Sequence, residues 1–291
     1  MEIRTILAAL SGGCASSGVM ELACRLARRF HAHVEAFHVQ TDPRELAYAA
    51  LDGFGAPVVV GDIVEVALKE AKDTAANTRC LFEAAVAKQA LKVREAPPPL
   101  GSDPILPLPS ASWRTETGYG PVSVAARARL FDLLILGRSG RVVDDPHSDA
   151  IEEALLTGGR PVLVAPAQAP AVLGRRIAIA WSNSPESARA LAGAMPFLVR
   201  AARVHILTLG NHNAAALVEH LRWYGVDAVA RCVPAVGDDG VGDLLLAAAR
   251  DDGADLLVMG GYGKAPWREM LFGGATRQVI GTSLLPLLLS H

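Results

Sequence analysis

The sequence predicts an α/β protein made of two similar domains in tandem, each a doubly wound parallel sheet. Two observations predict it. The first is an internal repeat. Asp132-Leu-Leu-Ile-Leu-Gly-Arg-Ser-Gly140 matches Asp255-Leu-Leu-Val-Met-Gly-Gly-Tyr-Gly263 almost position for position, and Arg160-Pro-Val-Leu-Val-Ala165 matches Leu285-Pro-Leu-Leu-Leu-Ser290. Upstream, Arg4-Thr-Ile-Leu-Ala-Ala-Leu-Ser11 has a weaker partner in Arg175-Arg-Ile-Ala-Ile-Ala-Trp-Ser182. The matched segments keep the same order in both copies, so the domain is duplicated. The second observation is an alternation of short apolar runs with helical stretches, which implies crossover connections and a sheet covered on both faces.

The first copy opens directly on strand residues, Ile3 to Leu7, with no basic stretch followed by an apolar core such as a secretory signal carries. Its middle is the longer one: 128 positions separate Arg4 from Asp132, against 79 between Arg176 and Asp255. The extra material lies between about Thr41 and Trp113. It holds a helical stretch, Val64–Ala90, and a proline-rich run from Ala96 to Pro109 that reads as an extended loop. Pro166–Gly174 interrupts the pattern and marks the linker, giving domains over 1–168 and 174–291.

In the second copy the near-continuous apolar runs are Ile177–Ala180, Val204–Leu209, Ala228–Val233, Leu256–Met259 and Leu285–Leu289. Strands buried on both faces read this way. Ser184-Pro185-Glu186 supplies an N-cap, a helix-starting proline and a first-turn acid, and Leu191, Met195 and Leu198 follow at helical spacing. Ala214–Trp223, Asp243–Arg250 and Ala275–Ile280 complete the helices. The edge strands Pro161–Val164 and Pro286–Leu289 are expected to meet, so that the chain pairs internally like a dimer. A further homodimer is compatible with this.

At 291 residues, 51% hydrophobic and 20% charged, the chain can bury one core per domain. With 28 basic against 30 acidic side chains and no basic block, it carries no footprint for nucleic acid or an acidic membrane surface. No apolar run reaches the length of a membrane span. Cys14, Cys24, Cys80 and Cys232 are scattered with no CxxC pair, as expected of buried thiols in a reducing cytoplasm.

One motif carries chemistry. Gly260-Gly-Tyr-Gly263 begins where the run Leu256–Met259 ends, and nine residues then separate Gly263 from Gly273-Gly274-Ala275-Thr276. Ligands of open parallel sheets bind outside the carboxyl ends of the strands. A phosphate there needs backbone N–H groups at close range, which glycine permits, and a helix N-terminus adds donors and partial positive charge. Lys264 could reach a phosphate as a point charge. Arg268 and Arg277 are weaker candidates.

This Gly260-x-x-Gly263-(nine residues)-Gly273 spacing resembles the G-2x-G-9x-G-(S/T) signature of the universal stress protein family. The resemblance takes in the flanking strands and the duplication, and so covers nearly the whole chain. It implies an adenine-nucleotide α-hydrolase-like, Rossmann-like fold with a five-stranded parallel sheet and helices on both faces. It also implies ATP or AMP held by Gly260, Gly263 and Gly273, with the backbone of Gly274 close by. Two contacts of the family's nucleotide-binding members are absent. Gly274 stands in place of the final Ser/Thr, although Thr276 lies two positions on. Trp181-Ser182-Asn183-Ser184 lacks the acid expected after the first strand, which leaves Ser182 or Asn183 to hydrogen-bond a ribose. Each lost contact costs roughly 1–3 kcal/mol when buried. The first copy keeps Gly137 and Gly140, but Ala150 and Ile151 stand where the last glycines fall, and Asp144, Asp145 and Asp149 oppose a polyphosphate.

Other clusters read as structural. His31, His33 and His38 lack accompanying acids, so no metal is expected. Asp144-Asp145-Pro146-His147 reads as a solvated turn, and Trp267, Met270, Leu271 and Phe272 as packing residues. Ser11-Gly12-Gly13-Cys14-Ala15-Ser16 faintly echoes the pyrophosphate loop of adenylating enzymes without its Asp. No nucleophile elbow, HExxH or P-loop lysine occurs, so a binding or signalling module is expected, with at most slow ATP hydrolysis. The alternative is a tandem interaction scaffold that binds no nucleotide.

Overall fold

The apolar runs fold as strands covered by helices on both faces of the sheet, except the edge run Ala228–Val233, which is buried only at its two ends. The structure, a computed structural model, describes residues 2–40, 57–97, 109–138, 146–209, 214–234, 240–261 and 274–291. Its strands are β1 (Thr5–Ala9), β2 (His33–Gln40), β3 (Lys92–Val93), β4 (Ser110–Thr117), β5 (Leu133–Gly137), β6 (Val162–Ala165), β7 (Arg176–Ala180), β8 (Arg203–Leu209), β9 (Ala228–Val233), β10 (Leu256–Gly260) and β11 (Leu287–Ser290). Its helices are α1 (Ala15–Phe30), α2 (Pro57–Lys88), α3 (Gly120–Ala128), α4 (Pro146–Thr157), α5 (Pro185–Leu198), α6 (Ala215–Arg222), α7 (Val241–Asp251) and α8 (Gly274–Thr282).

All strands join one 11-stranded sheet, ordered β3-β4-β2-β1-β5-β6-β11-β10-β7-β8-β9. Every pairing is parallel except β6 with β11. Removing β3 leaves the same order in each half, with the first strand central and the chain stepping out to either side. The short edge strand β3 and the first half of β4 lie in the longer middle of the first copy, where no sequence pattern announced them.

The sheet separates two cores. On one face α1, α2, α5 and α6 bury Met20, Phe82, Phe197 and Leu221 against Ile6, Ile135, Ile177 and Val258. On the other, α3, α4, α7 and α8 bury Val124, Ile151, Leu246 and Val279 against Leu7, Leu134, Leu257 and Leu287. Side chains alternate between the faces along each strand, so Leu163 and Leu288 join the first core while Val162, Val164, Leu287 and Leu289 join the second.

The aspartate that opens each repeat has a mechanical task. Asp132 accepts from the backbone N–H of Arg4 (2.8 Å) and Thr5 (2.9 Å), which ties the start of β5 to β1. Asp255 does the same for Arg175 (3.0 Å) and Arg176 (3.1 Å) at the start of β10 and β7. Two adjacent N–H groups at the bottom of the sheet thereby gain an ionised acceptor in both copies. The connecting segment is held against α1, where Arg25 donates to Pro170 O at 2.6 Å and Arg29 donates to Leu173 O. Phe30 and Phe197 meet edge to face across the two halves at 5.1 Å.

Candidate functional site

In the second half the chain leaves β7 for β8 on one side of the sheet and returns to β10 on the other. The carboxyl ends of β7 and β10 therefore flank a crevice at the switch point. After Ala180 come Trp181, then the exposed Ser182 and Asn183, and Ser184 caps α5. The Ser184 hydroxyl accepts from Ser187 N (3.2 Å), while Ser187 Oγ accepts from Ser184 N (2.9 Å), a reciprocal cap. Ser182 Oγ donates to Ser184 Oγ at 3.2 Å. Asn183 is left-handed at φ 54°, a conformation that asparagine and aspartate tolerate better than most residues. Its counterpart Gly12 in the first half has φ 85°, so both copies turn from strand to helix in the same way.

The two glycines that end β10 do different things. A Cβ on Gly260 would lie 2.7 Å from Ser187 N and 2.8 Å from Glu186 C, so this glycine is what lets the first turn of α5 lie on the strand. Gly137 does the same for α1, since a Cβ there would lie 2.6 Å from that of Ala15. Gly261 faces the opposite side. A Cβ there would make ordinary contacts, at 3.6 Å to Leu155 Cδ1 and 3.8 Å to Thr276 Cγ2. Its N–H donates to Ser290 O at 2.8 Å.

Gly274 is the first residue of α8, and Thr276, in the same turn, is buried. Gly263, Lys264 and Gly273 lie outside the described residues, as do Arg268, Trp267, Met270, Leu271 and Phe272, and in the first half Gly140, Asp144 and Asp145. Arg277 is engaged by Glu152 of α4 at 3.1 Å.

A residue that the sequence offered only as a helix-start acid proves to lie beside the glycine that ends β10. Glu186 is 8% exposed under Gly260. Burial pushes its carboxyl up, but its own backbone N–H, the Ser184 hydroxyl and the charges of Arg189 and His291 together hold it below its ordinary value. His291 closes the far side, its Nδ1 3.1 Å from Gly261 O.

The crevice of the first half is filled from within. A Cβ on Gly12 would lie 2.1 Å from Thr74 Cγ2 and 3.3 Å from Thr78 Oγ1, so α2 packs onto the turn that would line a ligand. Beside it His38 is buried, its Nδ1 2.7 Å from Leu10 O, and its ring stacks with Trp113. The structure also corrects the alignment of the two loops. Thr157 Oγ1 donates to Glu153 O and Thr282 Oγ1 donates to Gln278 O, equivalent bonds that align α4 with α8. Asp149, rather than Ile151, then stands at the position of Gly274. The intervening loop is two residues shorter in the first copy, which a straight count from Gly140 could not reveal.

His31 and His33 are engaged structurally. His33 Nδ1 lies 2.9 Å from Ser110 Oγ and its Nε2 3.0 Å from Ser112 Oγ, while His31 closes α1 in the left-handed region. Among the described residues no group of three or more His, Cys, Asp or Glu could hold a metal ion. None of their helices is long and apolar enough to cross a membrane.

The fold defines a doubled α/β protein, with a doubly wound sheet in each half. A scan against protein-family models finds no match, and a search of curated proteins finds none either. Among solved structures, the chain is similar over 99% of its length to a universal stress protein from Archaeoglobus fulgidus DSM 4304, with TM-score 0.68, 16% identity and 96% of that chain covered. It is similar to a functionally unknown protein from Pseudomonas aeruginosa PAO1, with TM-score 0.53, 16% identity and coverage of 99% of this chain and 92% of that one. It is similar too to a candidate universal stress protein from Pseudomonas aeruginosa UCBPP-PA14, with TM-score 0.53, 16% identity and coverage of 99% and 93%. The chain has the fold of the universal stress proteins, doubled along its length.

Proposed function

We propose that this chain is a tandem universal-stress-type protein, a cytoplasmic stress-response module that holds an adenine nucleotide, ATP or AMP, in its second half. The observation that carries this reading is the placement of the glycine spacing. It starts on Gly260, the residue that ends β10 at the switch point, and runs to Gly274, the residue that opens α8. Backbone N–H groups at a helix start, with no side chain between them and the ligand, suit a phosphate. Ser182 and Asn183, exposed at the end of β7, suit the hydroxyls of a ribose. The binding is weak, because Gly274 offers no hydroxyl and Glu186 adds a carboxylate near the crevice.

A second reading is favoured by those same two residues: the tandem is an interaction scaffold without a nucleotide. Titration calorimetry on the full chain, with ATP at millimolar concentration, separates the two. The binding reading predicts saturable heat, and about tenfold tighter binding when Gly274→Ser is combined with Asn183→Asp. Absence of both heat and thermal stabilisation, in the wild type and in the restored variant, would leave the scaffold.

A further inference from the structure

The junction of the two halves has the register of a symmetric dimer folded into one chain. Leu163 faces Leu288, flanked by Val162 facing Leu289 and Val164 facing Leu287. In the repeat, Val162, Leu163 and Val164 are the equivalents of Leu287, Leu288 and Leu289, so each pair exchanges with the other about Leu163–Leu288. An interface of this kind is self-complementary: where residue i meets j, the equivalent of j meets the equivalent of i. The adjoining helices obey the rule. Glu152 and Arg277 are equivalents, and they meet each other. Arg138 and Gly261 are equivalents, as are Leu155 and Ile280; Arg138 donates to Ile280 O, and a Cβ on Gly261 would lie 3.6 Å from Leu155 Cδ1.

The symmetry stops at the chemistry. Arg138 N donates to Ala165 O as Gly261 N donates to Ser290 O, so the two backbones match. Only the side chains differ. From the first half, Arg138 Nη1 reaches across and donates to Ile280 O at 2.8 Å. That carbonyl belongs to the last turn of α8, where helical carbonyls lack intrahelical donors and a cation is favoured by the helix dipole. Thr282 Oγ1 and Ser283 N satisfy Gln278 O and Val279 O in the same turn. Glu152 adds a second tie by pairing with Arg277. Arg138, which stands where the second copy has Gly261, thus closes the helix that opens at Gly274.

We propose that Arg138 is a positioning residue for the nucleotide site of the second half: by closing the C-terminal turn of α8 it fixes the helix whose opposite end, at Gly274, receives the phosphates. This rests on the nucleotide reading above. The first half is then part of the site, though it binds nothing in its own crevice. Arg138→Ala in the full chain tests it, with Arg138→Lys to keep a cation at the helix end. Without nucleotide, amide exchange over α8 rises about three- to tenfold in Arg138→Ala, with α1 and α5 unchanged and Arg138→Lys in between. ATP affinity falls by a similar factor while adenosine affinity holds, because only the phosphates meet α8. Unchanged exchange over α8 would overturn the inference, whatever the wild type binds. Equal losses for ATP and adenosine would overturn it too, since they mark general destabilisation. A wild type that binds neither ligand, with exchange over α8 raised as expected, would fail the nucleotide reading and remove this role for Arg138, while keeping the cap.

Discussion

The two halves share a strand order, an aspartate staple and a glycine under the first helix, yet their crevices have gone separate ways. In the first, α2 lays Thr74 and Thr78 over the turn at Gly12, and Asp149 stands in the first turn of α4. In the second, Asn183 is exposed and α8 opens on Gly274. The features common to both halves hold the sheet together, while the two crevices, where a ligand would meet the chain, differ. A duplicated fold can keep its architecture while one copy gives up its site, because backbone staples and close helix packing do not depend on the ligand.

The strongest way to sharpen this comparison is a pair of positions that changed chemistry between the halves. Glu35 on β2 pairs bidentately with Arg127 of α3, at 2.7 and 2.6 Å. The equivalent strand position in the second half is His205, 3.4 Å from Asp252 beyond α7. Burial lowers the guanidinium of Arg127, but the Glu35 hydrogen bond, first among its influences, more than offsets this and raises it above its ordinary value. Glu35→Ala leaves a largely buried arginine without its acceptor and is expected to cost about 3 kcal/mol in denaturant unfolding, with much of that recovered in Glu35→Ala/Arg127→Met. A loss below about 1 kcal/mol would mean the pair is surface-like.

Next come the two adjacent glycines. Gly260→Ala forces a Cβ onto the backbone of α5 and should destabilise the free protein by about 1–3 kcal/mol, whereas Gly261→Ala should stay within about 0.5 kcal/mol. Thermal denaturation without nucleotide measures both. Equal effects would mean that Gly260 serves the ligand alone and not the packing.

A smaller effect depends on pH. Burial holds His33 below its ordinary value, against the opposing charge of Glu35, and Arg94 lowers it further. The folded state therefore favours the neutral ring. Below the ordinary histidine value of about 6.5 the unfolded chain binds the extra proton, so stability is full above that pH and declines as pH falls through the folded value. His33→Gln should flatten the decline below about pH 6.5 in urea titrations. A slope unchanged by the substitution would assign the acid sensitivity elsewhere.

Much of this molecule was legible in the sequence. The repeat at Asp132 and Asp255 located β5 and β10, and the apolar runs of the second copy became its strands within a few residues. Ser184-Pro185-Glu186 marked the start of α5. The first copy was harder, because its long middle breaks the period, and a two-residue strand such as β3 carries no pattern of its own. At the site, position was legible and role was not. Gly260 reads as a phosphate glycine until α5 is seen lying on it. Arg138 carries no signal of its role in the sequence, because its partner Ile280 lies 142 residues away. Contacts of that range leave no local periodicity to find.

The central claim is that one crevice binds and the other does not. Its most direct test is the stoichiometry of ATP binding to the full chain by titration calorimetry, repeated with Gly274→Asp, which copies Asp149 of the first half into the second. The account predicts about one nucleotide per chain in the wild type and none in the variant. Two nucleotides per chain, or one that survives Gly274→Asp, would contradict it.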